Sequence, residues 1–234
     1  MCGYDTCIGP SLPRSGFSGR GLLPGGLMQR FAALFSQLDQ TTSTKKKVSA
    51  LAEYFRQAAD RDRLWTIALL SGRRPKRTVT TTRLREWAAA RAGIPLWLFE
   101  ESYPIVGDLA ETIALVLPEG TSTSNKGLSE WIEDIRAMAA LDEDTTRAEI
   151  LAAWDQLDRT ERFVFNKLIT GGFRMGVSRK LMTRALSEAT GVEEPALAHR
   201  LMGGWTPDDV TFESLVLTPD PNADLSRPYP FYLA

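Results

Sequence analysis

Between Met28 and Leu217, apolar residues recur every three or four positions and no segment alternates convincingly, so the pattern predicts helices and no sheet. Val48, Leu51, Tyr54 and Phe55 form one such face, with Thr44 as the expected N-cap. Leu64, Ile67, Ala68 and Leu70 form the next and stop at Gly72. Leu84, Trp87 and Ala88 run to a stop at Gly93. Further faces are Leu109/Ile113/Val116, Leu128/Trp131/Ile135/Met138, Ile150/Trp154/Leu157, Val164/Phe165/Leu168/Ile169 and Leu181/Ala185/Leu186. Thr206-Pro207-Asp208-Asp209 carries start signals for a last helix, with Pro at its first position and acids in its first turn. Roughly ten or eleven helices of ordinary length result; residues 95–106 receive none. The six tryptophans sit at helical spacing and are expected in the core.

The ends read differently. Residues 1–27 are rich in Gly, Pro and Ser without a period, the composition of a disordered leader. Residues 218–234 carry four prolines and read as a linker to a catalytic domain absent from this chain. The intervening 28–217 is then the folded domain.

An internal repeat appears when the chain is shifted by 99. Leu69-Leu70-Ser71-Gly72 then falls on Leu168-Ile169-Thr170-Gly171, and Arg63 on Arg162. After the loss of one residue, Gly93-Ile94 falls on Gly191-Val192. The expected fold class is therefore all-α, a multi-helix domain built from two helical repeats related by a pseudo-two-fold axis.

Charge makes the repeat informative. The net charge is −1, yet residues 44–91 hold 13 Lys/Arg against 4 Asp/Glu, and residues 92–158 hold 3 against 14. The basic excess concentrates in matching loops, RRPKRTVTTTRLR (73–85) and GFRMGVSRK (172–180), each feeding a helix start with Thr80–Thr82 or Ser178 available as caps. Free N–H groups at a helix start, the helix dipole and neighbouring guanidinium groups all favour an anion. Glycine lets the backbone approach it closely. The candidate DNA-binding set is Thr44, Lys45, Arg73, Arg74, Lys76, Arg77, Gly107, Gly171, Gly172, Arg174, Gly176, Ser178, Arg179 and Lys180. Asp108 reads as a helix cap, and His199 as structural or exposed. The acidic stretch 130–149 reads as a solvated face. The two loops lie about 100 residues apart and are expected to act independently, so substitutions in both should cost about the sum. Contact with about 5–6 phosphates gives a log–log salt slope of roughly −5.

Catalytic chemistry finds little support. His199 is the only histidine, and Cys2 and Cys7 are the only cysteines, which excludes a Cys/His zinc site. No acid–base pair, nucleophile or metal cluster accompanies either loop. No run of about 18 apolar residues occurs, so no membrane span is expected.

Several segments resemble the ATP-dependent DNA ligases. Val106-Gly107-Asp108-Leu109-Ala110-Glu111 is similar to their GD-L-x-E segment, and Lys167-Leu168-Ile169-Thr170-Gly171-Gly172-Phe173-Arg174-Met175-Gly176 to their K-L-x-x-G-x-x-R-x-G segment. Phe31 through Lys45 is similar to the opening helix of the bacterial members, and Arg227-Pro228-Tyr229-Pro230-Phe231 to the linker before the nucleotidyltransferase domain. The resemblance covers about residues 28–217. It implies a module that binds nicked duplex DNA across the minor groove, in repair and recombination, with no preference over intact duplex read from the sequence. Its implied partners are the nucleotidyltransferase and OB domains, and its implied setting is a monomer in the cytoplasm. None of the seven lysines begins a K-x-D-G-x-R motif. The expectation is no cofactor on this chain, inactivity alone, and ATP and Mg2+ as requirements of the full enzyme only. A helical-repeat protein-interaction domain is the alternative.

Overall fold

The computed structural model describes residues 27–173 and 176–218. All regular structure among them is helical, and no strand occurs. In chain order the helices are α1 (Leu27–Gln40), α2 (Thr44–Gln57), α3 (Asp60–Leu70), α4 (Thr81–Ala92), α5 (Leu96–Val106) and α6 (Leu109–Val116). There follow α7 (Leu128–Ala137), continued by a short 3-10 turn, then α8 (Glu143–Gln156), α9 (Arg159–Thr170), α10 (Arg179–Thr190), α11 (Glu194–Met202) and a π-helical turn at Glu213–Leu217. None is long and apolar enough to cross a membrane.

The offset seen in the sequence recurs in the element boundaries. Helices α2 and α3 start 99 residues before α8 and α9, and α4 and α5 start 98 before α10 and α11. The helix-ending glycines match as well: Gly72 and Gly171 have φ of 84° and 71°, Gly93 and Gly191 of 67° and 76°. Arg63 donates to the carbonyl of Arg56 at 3.2 Å, and Arg162 to that of Trp154 at 2.5 Å, so both close the end of the preceding helix.

Packing follows the apolar faces. The most extensive pairs are α2 with α10 and α6 with α9, while α1 lies on both α2 and α9. Phe31, Phe35, Phe55, Phe165 and Trp154 are fully or almost fully buried. Trp154 donates from Nε1 to Oδ1 of Asn166 at 2.8 Å, which satisfies a buried polar pair where α8 meets α9. Asp62, also buried, accepts from the Ser129 N–H at 2.8 Å and its hydroxyl at 2.7 Å and so caps α7 from a distance. A Cβ at Gly127 would stand 2.8 Å from that carboxylate, so the position requires glycine.

Four expectations are corrected. Ser43, not Thr44, caps α2, accepting from the Lys46 N–H at 3.4 Å. Thr206–Asp209 forms a turn, not a helix start. There the Thr206 hydroxyl donates to Asp209 at 2.5 Å, and Arg61 and Arg136 hold Asp208 at 3.3 and 2.8 Å. Helix α5 was not expected, because Pro104 lies inside it. Trp97 lies on that helix and is 66% exposed, whereas the other five tryptophans are buried. The acidic side chains of 130–149 are exposed or partly exposed, as expected of a solvated face, and some pair with cations: Glu133 with Arg61 at 2.5 Å, Asp134 with Lys126 at 2.6 Å and Glu143 with Arg83 at 3.0 Å. The leader, the Pro-rich linker and Arg174 lie outside the described residues.

Candidate nucleic-acid interface

The basic segments converge, and the packing of α2 against α10 brings them together. That pairing sets the first turn of α2 beside the loop that leads into α10. Lys47 Nζ donates to the Gly176 carbonyl at 3.2 Å. From the other side the 72–80 loop touches the same stretch: Arg74 Nη1 reaches the Gly171 carbonyl at 2.5 Å and Arg77 Nη2 the Thr170 carbonyl at 3.0 Å. A cleft of about 440 Å3 lies between the loops, walled by Leu69, Gly72 and Arg74 on one side and Phe173, Gly176 and Ser178 on the other. The loops are therefore neighbours, contrary to the independence expected of them. Substitutions in both must couple, because residues that share partners are not additive.

Each loop has an apolar anchor. Phe173 is buried, stacks on Phe31 with centroids 5.8 Å apart, and meets Phe35 edge-on at 5.3 Å. Val79 is buried in the same way. The anchors leave the polar residues outside. Lys45, Lys46, Arg74, Lys76, Arg77, Arg179 and Lys180 are exposed. Thr80 caps α4, accepting from Arg83 N–H at 3.4 Å, and Ser178 caps α10, accepting from Leu181 N–H at 3.2 Å. The loops thus present two helix starts and their dipole ends.

The cations divide into two groups. Arg73 donates to the Gly203 carbonyl at 2.7 Å and to the Trp205 carbonyl, and its guanidinium lies 4.3 Å from the Trp205 ring centroid. Arg74, Arg77 and Lys47 hold carbonyls as described. By contrast, the side chains of Lys45, Lys46, Lys76, Arg179 and Lys180 make no hydrogen bond or ion pair among the described residues. The Arg73 pKa is lowered from its ordinary value, first by burial and then by the charge of Arg179. A phosphate beside this pair would relieve the repulsion.

Gly107 ends α5 with φ of 83° and is exposed. Asp108 caps α6, accepting from Glu111 N–H at 3.0 Å, and pairs with Lys167. The Lys167 chain, which pairs with Asp108, lies 3.6 Å from where a Gly172 Cβ would stand. His199 is exposed. The sequence reading passed over Phe173 and Lys47. The first carries a signal, an apolar residue enclosed by glycines and arginines in an otherwise polar loop; the second has none beyond the charge run it ends.

The family model for the DNA ligase N terminus matches residues 27–187. The chain belongs to the family of DNA ligase N-terminal domains. The matched span runs from α1 into the last turn of α10 and includes every candidate residue of the basic face. No curated protein sequence matches the chain. Among the described residues, no three His, Cys, Asp or Glu side chains are grouped to hold a metal ion, and no lysine of the sequence begins a K-x-D-G-x-R motif.

Proposed function

We propose that this face binds the sugar–phosphate strands of duplex DNA without reading base sequence, and that a nicked duplex is the form it serves. One observation carries the reading. Five cations without a partner among the described residues, Lys45, Lys46, Lys76, Arg179 and Lys180, sit on three segments that tertiary contacts bring together. Like charges so placed repel one another until a polyanion meets them. Phosphate contacts of this kind set position and affinity, not sequence choice. The domain grips DNA from the minor-groove side as a monomer in the cytoplasm, for ligases of repair and recombination. It contributes binding, and nucleotidyltransferase and OB domains contribute the adenylation and joining chemistry together with ATP and Mg2+.

A second reading, a protein-interaction domain, draws on α5. Leu96, Trp97, Leu98 and Ile105 are all exposed, Ile105 to 86%. An apolar row of that kind fits a protein face. Fluorescence anisotropy separates the two readings. The full chain should bind nicked duplexes of two unrelated sequences equally, and the double substitution Arg179→Ala, Lys180→Ala should weaken both alike. Equal affinity of variant and wild type at low salt sinks the DNA reading and leaves the second.

A further inference from the structure

The end of α9 is reached by cations from another part of the chain. At the end of α3 Ser71 N–H donates to the Ile67 carbonyl at 2.9 Å, Gly72 N–H to Leu69 at 3.1 Å and Arg73 N–H to Ala68 at 2.8 Å. At the end of α9 the carbonyls of Thr170 and Gly171 accept from Arg77 and Arg74, which belong to the other loop. The last carbonyls of a helix have no partner of their own and carry the negative end of its dipole, so a guanidinium suits them. Lys47 holds the far end of the same loop through the Gly176 carbonyl. Thr170, Gly171 and Gly176 are thus held by cations from α2 and from the 72–80 loop.

On the DNA-binding reading above, we infer that Arg74 and Arg77 are positioning residues: they fasten the loop before α10 by its carbonyls, and neutralise no phosphate themselves. Their effect on DNA passes through the placement of Ser178, Arg179 and Lys180. This differs from the role of Lys76, which lies between them in sequence and holds none of the described residues.

Salt dependence distinguishes the roles. Removing a phosphate ligand lowers the log–log slope of affinity against salt by roughly 0.9, because one fewer phosphate is neutralised. Arg77→Ala should weaken nicked-duplex binding roughly tenfold, the size of one charge-assisted hydrogen bond, with the slope unchanged. Arg77→Gln keeps an N–H donor but no charge and should recover most of that affinity. Lys180→Ala should reduce the slope by roughly 0.9. Hydrogen exchange of amides 171–178 in the full chain, without DNA, should quicken in Arg77→Ala and stay near wild type in Arg77→Gln. A slope reduced equally in both Arg77 variants makes Arg77 a phosphate ligand and overturns the inference. So does unchanged exchange in Arg77→Ala. If the wild-type chain binds no duplex, the functional reading falls, and the exchange comparison alone decides whether the fastening stands.

Discussion

Ionic strength is the sharpest perturbation of the basic face, because its described residues divide into cations with and without partners. Among them Lys45, Lys46, Lys76, Arg179 and Lys180 have no partner, whereas Lys47, Arg73, Arg74 and Arg77 hold carbonyls. If each of the five meets one phosphate, the slope of log affinity against log salt is roughly −4.5. Raising salt from about 50 to about 200 mM should then weaken binding roughly 500-fold, or about 3.7 kcal/mol. Anisotropy of a labelled nicked duplex, titrated with the full chain at several salt concentrations, measures this directly. The double substitution Lys76→Ala, Lys180→Ala leaves three such cations and a slope of roughly −2.7. A wild-type slope shallower than about −2, or a slope indifferent to the two lysines, refutes the division of the cations.

Three further outcomes are expected. Arg162, 2% exposed, donates to the Trp154 carbonyl at 2.5 Å and the Pro118 carbonyl at 2.6 Å, so Arg162→Ala should cost about 3–5 kcal/mol in urea unfolding and lower Tm markedly. Phe173→Ala should cost about 3–5 kcal/mol and also weaken DNA binding, read by anisotropy well below the variant's Tm, since the loop loses its anchor. Burial raises the Glu161 pKa above the usual carboxylate range. Its ionised form is therefore disfavoured in the fold, and stability rises as pH falls through that raised value. Glu161→Gln keeps an oxygen acceptor for the Asp158 N–H. The variant should be the more stable near neutral pH and lose its advantage toward pH ~4, as urea melts at a series of pH values will show.

Local signals were legible in the sequence. The caps at Asp108, at Ser178 and at the start of Thr80–Thr82 and the glycine stops at Gly72, Gly93, Gly171 and Gly191 depend on residues within a turn or two of one another, and the structure places them as the pattern implied. Helix α5 escaped because Pro104 reads as a breaker. Pro104 in fact sits in the final turn, three residues before Gly107, where few further hydrogen bonds are lost. The turn at Thr206–Asp209 had sound start signals, but Arg61 and Arg136 hold Asp208 from elsewhere in the chain. The candidate face was legible as composition and not as geometry. That the loops touch depends on α2 meeting α10, and which arginines are occupied depends on carbonyls about 93–132 positions away. Periodicity contains neither fact.

Arg73 ties the 72–80 loop to Gly203 and Trp205 beyond α11, just as its neighbours tie that loop to the end of α9. Arg200 continues the line by holding the Val216 carbonyl at 2.6 Å. The segment after α11 is therefore moored to the 72–80 loop by Arg73 and to α11 by Arg200, so Arg73→Ala frees two carbonyls of that segment at once.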